Sequence, residues 1–177
     1  MPQVVAQVWA PVPPEVAFAV SQTTGATRLR WDPFIRHQHL LGADAPAKGV
    51  RTLTRSRLGP VGGFRMVSRY VSYAPPTSVG MTMERGPWFF AGFGGGWRFA
   101  PETRDGVAGT RATWKYTYGI RPRLLRPVAE PVGQRLLGRE IRARIDAFAR
   151  ACSDPEVVRA AVWTAPATAR KDVASEA

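Results

Sequence analysis

The sequence contains one cysteine and two histidines among 177 residues, and only three of its 25 basic residues are lysines. A single cysteine, Cys152, excludes an internal disulfide and a thiolate metal cluster, and it suits a reducing compartment. No segment reaches the roughly 20 apolar residues that a membrane-spanning helix needs. The N-terminus also lacks the basic start and unbroken apolar region of a signal peptide. We therefore expect a cytoplasmic protein.

Acidic residues are also scarce, so the formal net charge is +12. Six basic residues and no acidic ones lie between Asp44 and Glu84, and eight arginines face three acidic residues over 121–150. Such patches could simply be solvated, or they could dock an acyl carrier protein or an anionic membrane surface. We do not expect nucleic acid, because no exposed aromatic–basic interleaving, helix-turn-helix or zinc signature is present.

The order of predicted elements indicates an α+β fold in one domain. A Val-rich first strand precedes two short helices, and strands bounded by Gly and Pro follow at about 35–41, 49–58, 63–73, 77–85, 88–100 and 108–119. Short connections between consecutive strands favour an antiparallel meander. A long amphipathic helix follows, and Pro127 and Pro131 should confine its regular part to about 128–152. We predict a domain over 1–152 and a partly disordered tail over 153–177, with a short helix near 156–162.

The apolar stripe of that last helix is the only surface large enough to cover the sheet. It comprises Leu125, Val128, Val132, Leu136, Ile141, Ile145, Phe148 and Cys152. A single helix cannot fill a strongly curved sheet, so we expect a cavity between them. Strand alternation sends the arginines of the sheet, including Arg65, Arg69 and Arg98, to the outer face.

The segment 86–101, GPWFFAGFGGGWRFAP, mixes six aromatic residues with glycines. It contains no phosphate-binding GxGxxG or GxxxxGK[ST] motif, so we interpret it as a strand with an inward aromatic wall. These rings could line a cavity or simply fill a core. Methionines with Thr, Ser and Tyr hydroxyls on the same face favour a small-molecule site.

Four motifs give the sequence a family resemblance: WDPFI at 31–35, GGWRFAPE at 95–102, GTRATWKY at 109–116 and RPRLLRPV at 121–128. With them, residues 3–152 resemble the START/Bet v 1-like (SRPBCC) superfamily, most closely its bacterial polyketide cyclase/dehydrase-type group. The resemblance implies a helix-grip fold, in which an antiparallel sheet of six to seven strands wraps around the C-terminal helix. It also implies a deep pocket for hydrophobic ligands, but it does not choose between carriers, receptors and cyclases.

The predicted ligand-binding residues are the inward aromatic and methionine side chains: Trp31, Met66, Tyr70, Met81, Met83, Phe89, Phe93, Trp97, Trp114, Tyr116 and Tyr118. Trp31 could be a gate or could pack the short helices onto the sheet. His37 and His39 share one face of their strand by parity, so they could shuttle protons while Tyr70, Tyr116 or Tyr118 polarises a carbonyl. The two histidines could instead be solvated, or hydrogen-bonded to backbone, on a half-exposed strand. A third metal ligand is missing, so we expect neither a metal site nor a cofactor.

The sequence thus favours binding of a hydrophobic small molecule such as a lipid, quinone or polyketide, for sequestration or transfer. The alternative is an aromatase/cyclase or dehydratase that acts on a carrier-bound poly-keto chain. A docking module with a filled interior is a third class.

Overall fold

The computed structural model describes residues 1–57 and 63–163. Within these ranges seven strands and four α-helices follow in the order β1 (Gln3–Ala10), α1 (Pro14–Ser21), α2 (Gly25–Trp31), β2 (Ile35–Leu41), β3 (Arg51–Ser56), β4 (Arg65–Ala74), β5 (Ser78–Arg85), β6 (Phe90–Arg104), β7 (Val107–Ile120), α3 (Arg126–Cys152) and α4 (Pro155–Trp163). A 3-10 turn at Arg123–Leu125 connects β7 to α3. The predicted turns at 59–60 and at Gly62 lie outside the described residues.

The seven strands form one antiparallel sheet in the order β1-β7-β6-β5-β4-β3-β2. Strands β2 to β7 are joined as a meander, and β1 returns to the far side of β7, where Val4 pairs with Tyr116. The sheet curls around α3 as a half-barrel, so the predicted helix-grip fold is confirmed.

The C-terminal half of helix α3 carries its buried apolar side chains, whereas the N-terminal half contacts the sheet through Tyr118, whose Oη donates a hydrogen bond to the backbone oxygen of Glu130 at 2.9 Å. Ile141, Ile145, Phe148 and Cys152 are buried, at spacings of three and four residues that keep them on one side of the helix. The helix begins at Arg126 and runs through Pro131, which corrects the predicted start near 128. A proline in the first turn removes an N–H that has no intrahelical partner, and Pro131 removes only one backbone bond.

The core extends beyond residue 152. Helix α4 follows α3 after a short turn, and its Val157 and Ala161 are buried in the same hydrophobic core as α1. The short helix predicted near 156–162 is therefore present and packs on the domain. The predicted disorder of the tail concerns residues 164–177, which lie outside the described residues.

Glycines in β6 allow its close approach to β5. A Cβ atom added at Gly96 would lie 2.6 Å from the backbone oxygen of Val79 and 3.3 Å from the Cα of Gly80. The strands could not keep their present distance with a larger residue there, since both neighbouring atoms belong to the backbone. The predicted role of these glycines in sheet geometry fits this contact.

The outer face of the sheet carries the exposed arginines that strand parity assigned to it: Arg51, Arg55, Arg65, Arg69 and Arg98. One of them, Arg69, forms an ion pair with Glu84 of the neighbouring strand at 2.7 Å. These cations therefore stand outside the space between the sheet and α3.

Candidate functional site

A cavity of about 560 Å³ lies between the inner face of the sheet and α3. Its wall is largely apolar and comes from β2 to β7, from the segment before β6 and from one side of α3. Small polar side chains of β3 and β4, including Thr52, Thr54 and Ser68, interrupt that wall. The volume is in the range of protein sites for small organic molecules.

The aromatic residues of β6 and β7 form a continuous ladder along the cavity. Trp97 stacks on Trp114 with ring centroids 4.1 Å apart, and Phe93 packs against Tyr116 at 5.2 Å. At its deep end Trp97 also contacts Phe148 of α3 at 4.7 Å. The two interpretations of the aromatic segment therefore both apply: its deep rings pack the core, and they also line the cavity.

Ten of the eleven predicted ligand-binding residues line this cavity: Met66, Tyr70, Met81, Met83, Phe89, Phe93, Trp97, Trp114, Tyr116 and Tyr118. The alternation of side chains along β4 to β7 brings nine of them to one face, as the sequence indicated, and Phe89 precedes β6. That they contact a ligand stays a prediction.

Trp31 does not line the cavity. Its ring packs against Phe148 at 5.9 Å, and its Nε1 donates a hydrogen bond to Thr23 Oγ1 at 3.0 Å. The guanidinium of Arg28 lies over the ring at 4.1 Å from its centroid. The geometry fits the packing interpretation, and a role of Trp31 in ligand contact or gating stays a prediction.

His37 and His39 also lie outside the cavity, on the exposed face of β2. The register of β2 against β3 shifts between Ile35 and His37, and this irregularity reverses the parity of the following residues. Gln38 faces the cavity in their place. The two imidazoles contact each other, Nε2 to Nδ1, at 2.9 Å. Neither histidine lines the cavity in this structure, and their role as proton shuttles stays a prediction.

A buried charge cluster at the α2–α3 side of the cavity was not predicted. Arg28 of α2 and Arg144 of α3 are 5 % and 7 % exposed, and both line the cavity. Between them Asp32, 1 % exposed, accepts hydrogen bonds from Arg28 Nε at 2.9 Å and from Arg144 Nε and Nη2 at 3.0 and 2.7 Å. Burial alone would raise the pKa of Asp32, but Arg144 and Arg28 hold it below its ordinary value. The carboxylate thus fixes both guanidiniums in the wall.

Tyr116 and Glu140 continue this cluster toward the cavity. Arg144 Nη1 donates hydrogen bonds to Tyr116 Oη at 2.6 Å and to Glu140 Oε1 at 2.9 Å. Burial raises the pKa of Glu140, and the attraction of Arg144 offsets this only in part. Burial also raises the pKa of Tyr116 well above its ordinary value. The phenol therefore keeps its proton and acts as a donor at neutral pH.

Tyr70 of β4 also lines the cavity. Burial raises the pKa of its phenol to about 12, although Arg28 acts to lower it. It is therefore a neutral hydroxyl that can donate a hydrogen bond to a ligand, which is compatible with its predicted role at a carbonyl.

Residue spacing in the sequence could have predicted part of this cluster. Arg144 lies three residues after Ile141 and four before Phe148, which puts it on the buried stripe of α3. Arg28 and Asp32 are likewise four residues apart across the end of α2. Strand parity applies only to the arginines of the sheet, which do face outward, so it gave no information on these helical ones.

Among residues 1–57 and 63–163 no three His, Cys, Asp or Glu side chains are close enough to hold a metal ion. Over the same ranges no helix is both long and apolar enough to cross a membrane.

Comparison with known families connects this geometry to a described group. Residues 1–153 match the family described as polyketide cyclase / dehydrase and lipid transport. The chain belongs to this family. The resemblance to the START/Bet v 1-like superfamily, and to its polyketide cyclase/dehydrase-type group, is thereby confirmed. No curated protein sequence matches the chain.

Solved structures share the fold of this family member at low sequence identity. A protein from Thermus thermophilus matches with a TM-score of 0.69 and 17% identity, over 90% of this chain and 99% of its own. A START superfamily protein from Mycobacterium smegmatis matches with a TM-score of 0.69 and 13% identity, over 85% of this chain and 97% of its own. The di-domain ARO/CYC StfQ of the steffimycin biosynthetic pathway matches with a TM-score of 0.67 and 14% identity, over 84% of this chain and 50% of its own.

Proposed function

We propose that this protein binds a hydrophobic small molecule, such as a lipid, quinone or polyketide, and sequesters or transfers it. The observation that carries the proposal is the cavity of about 560 Å³ with an aromatic ladder on one wall and a charge cluster at one side. Contact between these side chains and an apolar ligand contributes about 25 cal/mol of binding free energy for each Å² of apolar surface removed from water. A filled interior, as the docking-module hypothesis requires, does not fit this space.

The charge cluster supports an amphipathic ligand over a pure hydrocarbon. Arg28 and Arg144 place guanidinium N–H groups in a largely apolar wall, and Tyr70 adds a hydroxyl. Each guanidinium has five N–H groups, more than its hydrogen bonds to the protein use, so it can also donate to an acceptor on a ligand. We therefore expect a carbonyl, hydroxyl or carboxyl group at this side and an apolar body along the ladder.

A pair of matched variants tests binding. Ala129 of α3 is half-buried and lines the cavity. Ala129→Trp should therefore fill the opening without disturbing the core. Ala143→Trp introduces the same side chain on the exposed side of the same helix. We expect wild type and Ala143→Trp to enhance the fluorescence of anilinonaphthalene sulfonate, and Ala129→Trp to lose that enhancement.

The ligand itself is sought by extracting the protein purified from its native host and analysing the extract by mass spectrometry. Absence of any apolar molecule, together with equal dye binding by both tryptophan variants, would refute the proposal.

A second candidate function is an aromatase/cyclase or dehydratase acting on a poly-keto chain. The hydrogen-bonded group of Arg144, Tyr116 and Glu140 favours it, because it combines two donors for a substrate carbonyl oxygen with a carboxyl group of raised pKa. In this scheme Glu140 removes a proton from a methylene between keto groups, and Arg144 and Tyr116 stabilise the enolate oxygen. An acyl carrier protein that delivers the chain would have basic surface to dock on.

Product analysis from a reconstituted synthase distinguishes the two functions. If the protein is an enzyme, Glu140→Gln and Tyr116→Phe should each lower cyclised product by about 10²–10⁴-fold. His37→Gln and His39→Gln serve as controls and should leave the product unchanged. Equal product with wild type, with Glu140→Gln and without the protein would eliminate catalysis and leave the binding function.

A further inference from the structure

Exposed apolar side chains are concentrated where the cavity meets solvent. Six of the ten large hydrophobic residues that are exposed in the described part of the chain lie there: Trp88, Leu124, Leu125, Val128, Val132 and Leu136. We name these six the mouth surface. Trp88, Leu124 and Val128 are 77 %, 91 % and 73 % exposed. The apolar period predicted that Leu125, Val128, Val132 and Leu136 are buried, and this expectation is wrong for the N-terminal half of the helix.

The mouth surface is continuous with the cavity. Trp88, Leu125, Val132 and Leu136 line the opening and are exposed at the same time. Leu124, in the 3-10 turn, and Val128, in the first turn of α3, are exposed but do not line the cavity. An apolar rim therefore surrounds the entrance and extends outward from it, where a globular protein normally places polar residues.

Positive charge borders this apolar surface. Residues 121–139 contain five arginines and one glutamate, Glu130. Arg121, Arg123, Arg135 and Arg139 are exposed, and none of the four forms an ion pair with a residue of 1–57 or 63–163. A second copy on this surface would bring two such arginine groups together, so self-association is opposed by charge repulsion.

We propose that the mouth surface docks the protein onto an anionic lipid bilayer. A helix with apolar residues on one side, unpaired arginines beside them and a nearby exposed tryptophan has the composition of an interfacial helix. The apolar side chains enter the boundary between headgroups and acyl chains, and the arginines contact lipid phosphates. The inference rests on the proposed binding function in one respect: docking here would open the cavity directly to the lipid phase.

Co-sedimentation with vesicles tests the docking. Wild type should bind vesicles of phosphatidylcholine with phosphatidylglycerol, and weakly or not at all vesicles of phosphatidylcholine alone. Arg123→Gln with Arg135→Gln should weaken binding about 25-fold, since each arginine near an anionic surface contributes about fivefold. The control, Arg51→Gln with Arg55→Gln, removes the same charge from the outer face of β3.

The double variant Leu124→Ser with Val128→Ser tests the apolar contribution, because both native side chains are exposed and neither lines the cavity. We expect at least about a tenfold loss of vesicle binding. Val5→Ser with Val107→Ser is the matched control, because both valines are about half exposed, at 50 % and 52 %, on the β1–β7 side of the sheet.

Dye binding without vesicles separates this proposal from the proposed function. Unchanged dye fluorescence with lost vesicle binding in the mouth-surface variants supports docking. Wild type that does not bind anionic vesicles, or controls that lose binding equally, would overturn docking while leaving cavity binding intact. A dimer in solution that Leu124→Ser with Val128→Ser abolishes would also overturn it, since a second copy would then cover the mouth surface.

Discussion

Replacing Asp32 by Asn should destabilise the protein strongly, although the two side chains are almost the same size. The carboxylate is 1 % exposed and accepts three hydrogen bonds from Arg28 and Arg144, of 2.7 to 3.0 Å, and one from the Phe34 amide at 3.1 Å. An Asn amide turns one acceptor into a donor, which would face the donors of a guanidinium. It also leaves two buried cations with Glu140 as the only nearby anion among the described residues.

The expected loss is about 3–5 kcal/mol, because breaking a buried ion pair from one side leaves uncompensated charge. Losing two charge-assisted hydrogen bonds of about 1.5–3 kcal/mol each gives a similar figure. With a urea dependence near 2 kcal/mol/M, the unfolding midpoint should fall by about 1.5–2.5 M. Equilibrium urea unfolding at pH 7, followed by circular dichroism, measures this shift.

Asp146→Asn is the matched control, because Asp146 is exposed on α3 and its change should stay within about 0.5 kcal/mol. A second variant sharpens the test: Arg144→Met added to Asp32→Asn should recover part of the loss by removing one unpaired cation. A loss below about 1 kcal/mol for Asp32→Asn, or no difference from Asp146→Asn, would refute the assignment of Asp32 as the residue that balances both arginines.

Three further changes are expected to be measurable by the same unfolding assay. Relative to Glu140→Gln, wild type should lose stability as the pH rises above 4.5 through the raised pKa of Glu140, since the stability from a raised carboxyl pKa is present only below that range; a wild type that gains stability relative to the variant over this range would contradict this. Phe148→Ala should cost about 3–5 kcal/mol, because Phe148 is fully buried against the rings of Trp97 and Trp31; a cost near 1 kcal/mol would show that the site collapses. Gly96→Ala should cost about 1–3 kcal/mol by pushing β5 and β6 apart, whereas Gly92→Ala, whose Cβ would meet nothing closer than 3.6 Å, should be tolerated; equal costs would refute the steric argument.

Local sequence rules predicted the fold and most of the cavity wall. Alternation along a strand depends only on backbone geometry, so it placed Met66, Tyr70, Trp97 and Trp114 on one face correctly. Short turns between consecutive strands fixed the meander, and the long helical period after residue 121 identified the covering helix.

The same rules failed where long-range packing decides the outcome. One irregularity at the start of β2 turned His37 and His39 to the outside, and no local pattern announced it. The apolar period of α3 continued from Leu125 to Leu136, but these side chains are exposed, whereas those from Ile141 to Cys152 are buried. Arg28 and Arg144 can be buried because the carboxylate of Asp32, at the end of α2, accepts hydrogen bonds from both. Asp32 and Arg144 are 112 positions apart in the sequence, so no local pattern predicts their contact.

Because β1 pairs with β7, the first strand of the sheet can fold into place only late in synthesis. The backbone partners of Gln3 to Ala10 are Thr117 back to Thr110, so about 100 residues must leave the ribosome before the first strand can be paired. At roughly 5–20 residues per second, that segment waits about 5–20 s as an open, Val-rich edge. Nascent chains of this protein are therefore expected to engage chaperones early, and a circular permutant that begins at β2 and carries β1 after β7 should need them less.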